Sequence, residues 1–306
     1  YDTSKDSDGG AWRHRTQHTS WYNETLNTST RGATKKFPSV AVIVAENGSG
    51  GGVSIYDGDD PDLPLWMKFS NSSSGWNAGL IPLGGGTTNI TAASAKNGQL
   101  SVSTTSNSLG LLVISFIEDM TRAYLSVNSY GGIDTAPLSL RNTTGHTFAN
   151  NQAGGNTLPL LVNLNINDVA VTVLPNAPID ADTGLPVPTI AVATDGGVSV
   201  IKDDGTVVDI RNIQDSSTFN FCMDVHFRRD GGLVWSADSA GNVAAPRFIQ
   251  VLHEIPTSDF VHTSVAASNN IDEFYSRSTT SQGDFKFLSA NGVKTLQNST
   301  GRTNVG

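Results

Sequence analysis

"ATDGGVSVIKDDGTVVDI", residues 193–210, decides how this chain is read. An apolar run from Thr189 to Ala193 enters Asp-Gly-Gly, a second run spans Val198 to Ile201, Asp-Asp-Gly follows, and a third run spans Val207 to Ile210. Short β-branched runs separated by Asp/Gly turns predict three antiparallel strands, since such turns supply the positive φ that tight hairpins require. The polar residues here are turn formers, so the stretch is a structural unit, and the question is whether it recurs.

Approximate copies occur along the chain. "VAVIVAENGSGGGVSIYDGDDPDLPLWMKF" (40–69) has the same three runs with a longer first turn, and "ITAASAKNGQLSVSTT" (90–105) has two. "RAYLSVNSYGGIDTAPLSL" (122–140), "MDVHFRRDGGLVWSADSAGNVAAPRFIQVL" (223–252) and the partial "FKFLSANGVKTLQ" (285–297) continue the series. Turn glycines near 52, 98, 132, 197, 232 and 292 give an irregular spacing that brackets a four-stranded propeller blade with loop insertions. Runs such as "TIAVA" and "GLLVISFI" suit strands covered on both faces. The expected fold is therefore all-β: a β-propeller-like array of short antiparallel sheets over 37–306, preceded by an N-terminal extension, 1–36. A β-sandwich of jelly-roll type is the alternative, and it needs fewer repeats and longer crossings. Two polar loops, 70–89 and 141–160, interrupt the repeats, and 258–277 carries a weak helical pattern.

Charged residues make up 15% of the 306 and glycine numbers 31, a composition that favours strands and turns over long surface helices. A net charge of -9 argues against a nucleic-acid partner, whose phosphates must be neutralised by Lys and Arg. The charge is uneven. Residues 1–36 hold six Lys/Arg against four Asp/Glu and the remainder thirteen against twenty-four, which marks the first segment as a separate unit suited to docking. The longest clean apolar run, "VAVIVA" at 40–45, is far short of the roughly 20 residues of a spanning helix, so no membrane span is expected. The chain begins at Tyr1 without a Met or signal peptide, which suggests a piece of a longer protein. The single Cys222, in "FNFCMDVHF", excludes an intrachain disulfide framework and reads as a buried small hydrophobe.

Candidate site residues are few. Asp57, Asp59, Asp60 and Asp62 in "YDGDDPDLPLW" place hard oxygen ligands within six residues, the donor type Ca²⁺ takes, although the loop lacks the glycine and bidentate glutamate of an EF-hand. A solvated hairpin turn is the plainer reading of that loop. Trp12, Trp21, Tyr22 and Trp76 lie near polar, loop-like sequence and are the candidate ligand contacts, as exposed aromatics beside Asn, Asp and Ser often meet sugars or proteins. Trp66 and Trp235 sit on predicted strands and belong to the core. No nucleophile elbow, phosphate loop or HExxH motif appears, and no pair of carboxylates can be singled out for glycoside hydrolysis, so no catalytic residue is assigned.

The blocks "YDTSKDSDGGAWRHRTQHTSWYNETLNTSTRGATKKFPSVAVIVAE", "VSIYDGDDPDLPLWM" and "NDVAVTVLPNAPIDADTGLPVPTIAVATDGGVSVIKDDGTVV" together resemble large virion structural proteins of marine tailed bacteriophages, such as those infecting cyanobacteria. The resemblance implies a place in the tail or its appendages and a role in assembly or host attachment, with other virion proteins, further copies of the chain, or a host surface glycan or receptor as partners. It transfers no catalytic residue. The expected function is thus a non-enzymatic scaffold or attachment module of the extracellular particle. A tail-associated polysaccharide-degrading enzyme and a secreted carbohydrate-binding propeller are the alternatives.

Overall fold

A computed structural model describes residues 1–46, 52–70, 89–106, 109–124, 132–134, 137–142, 158–212, 221–238 and 248–262, with short strands at 273–276, 296–297 and 303–304. The chain is all-β. The first sheet is a meander of β1 (Ala41–Glu46), β2 (Gly52–Asp57) and β3 (Leu65–Ser70). The second joins β4 (Asn89–Lys96), β5 (Gln99–Ser106), β6 (Leu109–Ser115), β7 (Met120–Tyr124) and β8 (Gly132–Asp134) in sequence order. The third runs through β9 (Ile166–Thr172), β10 (Thr189–Thr194), β11 (Gly197–Ile201) and β12 (Val207–Asn212). The fourth contains β13 (Phe221–Phe227), β14 (Leu233–Asp238) and β15 (Phe248–Leu252). β16 (Phe260–His262) then returns to pair parallel with β12, β17 (Glu273–Ser276) completes the fourth sheet, and β18 (Leu296–Gln297) pairs with β19 (Thr303–Asn304).

The opening stretch folds as its pattern predicts, with β10, β11 and β12 antiparallel in sequence order. The turn chemistry differs between hairpins. At Asn97-Gly98 both central residues have positive φ, 50° and 72°, as a two-residue primed turn requires. At Asp195-Gly196 the positive φ falls one residue later, on Gly197 at 132°, where a Cβ would stand 2.3 Å from the Ile210 carbonyl oxygen. The 258–277 region, which carried a weak helical pattern, has strands β16 and β17 where it is described. Among the described residues no helix is long and apolar enough to cross a membrane.

The sheets stack in series, with a separate core between each neighbouring pair. Ile55, Met67 and Phe69 of the first sheet meet Leu100, Leu112 and Ile114 of the second. The other face of the second sheet, through Leu111 and Val113, meets Ile190 and Val192 of the third. Ala191, Ala193 and Val200 then carry the third sheet onto Val225, Leu233 and Trp235 of the fourth. The central strands β6 and β10 are thus buried on both faces, as their continuous apolar runs imply. Three cores between four sheets depart from a sandwich, which has one core between two sheets. No closed ring is formed by the described residues, whose first strands pack successively as β1 on β4, β4 on β9 and β9 on β13.

Residues 1–36 are built into the first core. Three one-turn helices, Thr3–Lys5, Ala11–His14 and Ser20–Asn23, carry Trp12 and Trp21 into the cluster around Phe37, Trp66 and Phe116. Part of the segment's basic charge is held within the chain. Arg31 and Arg141 flank Glu24 at 2.8 and 2.7 Å, Arg31 lies 4.5 Å from the Trp66 ring centroid, and Arg13 donates to the Phe37 carbonyl. Burial lowers the Arg31 guanidinium to about 10, although Glu24 opposes the shift.

Candidate functional site

The sequence candidates fall in different environments. Trp12 and Trp21 are fully buried, with their indole N–H groups donating to Asp6 Oδ2 and the Phe116 carbonyl, both at 2.8 Å. They are core residues rather than ligand contacts: each ring fills the first core and its one polar atom already has a partner. Tyr22 is half-buried, edge-on to Trp21 and under the Lys35 ammonium. Trp76 lies outside the described residues. Trp66 and Trp235 are buried, as strand positions in an apolar run predict, and Cys222 is a buried free thiol whose pKa is pushed up by burial.

The acidic loop does not gather its carboxylates around a point. Asp57 accepts from the Asp59 N–H, Asp60 accepts from the Asp62 N–H, and Asp59 accepts from the Ser39 N–H at 2.7 Å and from its hydroxyl. In the loop of the calcium expectation, Asp57, Asp59, Asp60 and Asp62, three of the four carboxylates accept from backbone N–H groups. The hydrogen bonds from Ser39 hold Asp59 below its ordinary value.

Ligand-type side chains do converge at the seam between the third and fourth sheets. Asp168 on β9 and Asp224 and His226 on β13 place one ligand atom each within 4.8 Å of the others, the only such group among the described residues. Asp224 Oδ1 is 3.1 Å from His226 Nε2, and the Val225 N–H donates to Asp168 Oδ2 at 3.0 Å. Burial, reinforced by the hydrogen bond to Asp224, pushes the Asp168 carboxyl up to about 6. Burial also acts upward on Asp224, but the hydrogen bonds from His226 and Asp168 outweigh it and hold that carboxyl low. The hydrogen bond to Asp224 raises His226. The three groups form one compact cluster with a half-exposed imidazole at its mouth.

Two β-bulges aim these side chains. In β13, Cys222 pairs with Ala237 and Asp224 with Ser236, so Met223 is the extra residue. Strict alternation from the buried Cys222 would send Asp224 and His226 into the same core; the bulge shifts the phase, and Val225 takes the inward place instead. In β9, Asp168 pairs with Ala193 and Ile166 with Thr194, which leaves Asn167 extra. Each bulge directly precedes the aspartate of an Asp-Val pair, in "INDVAV" and "FCMDVHF". An aspartate inside an apolar strand was the available sequence signal, but alternation alone does not show which way it points.

A cleft of about 320 Å³ lies between the second and third sheets. Val113, Tyr124, Ile190 and Ile201 line its apolar wall, while Asp180 and the bidentate Glu118–Arg122 pair, at 2.6 and 2.9 Å, line the polar side. It offers a shaped surface with oriented polar groups, the usual make-up of a small-ligand contact. Comparison with protein-family models, curated proteins and solved structures gives no match.

Proposed function

We propose that the chain is a non-enzymatic module of a phage particle, serving as a scaffold or host-attachment surface. The observation that carries this reading is how the turn carboxylates are used. Asp8, Asp57, Asp60, Asp180, Asp204 and Asp230 each accept a hydrogen bond from a backbone N–H two residues on, so they build turns between successive elements. A series of stacked sheets, the inner two buried on both faces, with tied-down turns is a stiff support for a recognition surface. The virion assignment rests on the sequence blocks that resemble phage structural proteins. Antibody raised against the chain is expected to label the tail region of intact particles; label confined to the lysed host would refute that placement.

The cleft favours a second reading, in which the module binds host glycan and, as a tail enzyme, cuts it. Glu118, Asp180, Asp203 and Asp204 are the carboxylates that line it, with Glu118 and Asp180 on its polar side. Release of reducing ends from host envelope polysaccharide, abolished by Glu118→Gln or Asp180→Asn, would establish the enzyme. Retention on the polysaccharide without release would fit a carbohydrate-binding module, whether of the particle or secreted.

A further inference from the structure

The molecule contains an internal control for the seam that holds Asp168, Asp224 and His226. The first strands of the second, third and fourth sheets each carry one bulged residue: Thr91 in β4, Asn167 in β9 and Met223 in β13. The first two tie one sheet to the next in the same way. Thr91 Oγ1 donates to the Ile166 carbonyl at 2.7 Å, and Asn167 Nδ2 donates to the Cys222 carbonyl at 2.8 Å. Each acceptor is the residue immediately before the next strand's bulge. The residues that follow the bulges are Ala92, Asp168 and Asp224. Where the second sheet meets the third, Ala92 packs as an apolar residue against the core. The same joint between the third and fourth sheets has a carboxylate, opposed by a second carboxylate and an imidazole.

A seam of this design therefore closes with a methyl group, and neither strand needs an acid there for packing. Two carboxylates in contact in a partly buried place repel one another unless a proton or a cation lies between them. Here both are aimed by separate bulges and joined by a histidine from the same strand. We propose that Asp168, Asp224 and His226 bind one divalent transition-metal ion, of the zinc or manganese type, that clamps the third sheet to the fourth. The donor set selects the ion: imidazole nitrogen with two carboxylate oxygens suits Zn²⁺ or Mn²⁺ better than Ca²⁺, which takes six to eight oxygens.

The geometry fits such an ion. Bonds of about 2.0–2.2 Å put neighbouring ligand atoms roughly 3–4.3 Å apart. The Asp224–His226 approach of 3.1 Å is already in that range, and the 4.8 Å outer limit of the group closes with about half an ångström of movement. The Val225 N–H fixes the Asp168 carboxylate, while Asn167, itself held by Asp195, ties β9 to β13. Hydrogen bonds of this kind orient ligands in metal sites. His226 is half-exposed, which leaves the ion a way in from solvent and leaves open coordination positions to water or to a carboxylate of a partner.

The test uses the full chain stripped with a chelator, then titrated with Zn²⁺, Mn²⁺, Co²⁺ and Ca²⁺ by calorimetry and by thermal shift. One Zn²⁺ or Mn²⁺ per chain is expected, with a rise in melting temperature and, for Co²⁺, visible d–d absorption. Asp224→Asn and His226→Ala are each expected to weaken binding at least tenfold, and Asp60→Asn to leave it unchanged. His226→Ala removes a half-exposed side chain, so the variant's circular dichroism should match the parent and keep the test interpretable. Absence of stoichiometric binding, binding unaffected by both seam substitutions, or binding of Ca²⁺ alone would overturn the proposal.

Discussion

Glu24 shows how much of this molecule depends on single polar side chains. It lies between Arg31 and Arg141, and these guanidiniums also donate to the carbonyls of Trp66, Lys35, Lys68 and Thr30. Removing the carboxylate leaves two buried cations facing each other, a change that typically costs about 3–5 kcal/mol. Glu24→Ala is therefore expected to lower the urea midpoint sharply, whereas Lys36→Ala on the exposed side of the same segment should leave it nearly unchanged. Gly197 is equally demanding: its φ of 132° and the 2.3 Å approach to the Ile210 carbonyl predict a loss of about 1–3 kcal/mol for Gly197→Ala, read by denaturant unfolding. Gly205, with open space around it, should tolerate alanine better. Asp209 carries a pH signature. Burial raises its pKa while the Ser199 hydroxyl, 2.6 Å away, opposes the shift. A raised folded-state pKa gives stability that is present at low pH and lost as pH rises through that value. Asp209→Asn should therefore gain stability relative to the parent as pH climbs from about 4 to 8. Melting curves across that range check the sign.

At the scale of elements, much is legible in the sequence. The runs around 193–210 formed β10, β11 and β12, and the continuous apolar runs of β6 and β10 were buried on both faces. Trp12 and Trp21 depart from the exposure expected of them for a physical reason: in a polar, irregular segment neither periodicity shows a ring turned inward, and short helical turns deliver both to the core. The seam cluster was not legible, because its direction depends on a one-residue phase change and its partners stand 56 residues apart in sequence, Asp168 against Asp224. The bulge tethers can be tested at this scale. Asn167→Ala removes donors to Asp195 and the Cys222 carbonyl and should cost about 1–3 kcal/mol. It should also speed hydrogen exchange at the Val225 amide, which binds Asp168 across the seam, while Thr91→Val at the preceding seam should not.

Over the whole molecule, the serial arrangement gives each sheet a neighbour to pack on and makes the N-terminal segment part of the first core. Deleting residues 1–36 would expose Trp66, Phe116 and Phe37 together, so the truncated chain is expected to lose its first two sheets or aggregate. A segment that served docking alone would come away and leave the far-ultraviolet circular dichroism of the sheets intact. The proposed role is recognition rather than turnover: the turn carboxylates named above hold backbone, and the Glu118 carboxylate in the cleft between the second and third sheets is paired with Arg122. The most direct measurement incubates the purified chain with host envelope and, separately, with purified particle proteins, and follows retained protein and released reducing ends together. The account predicts stable retention on one of these fractions with no release above a buffer control. Release that disappears in Glu118→Gln, or no retention on either fraction, would contradict it.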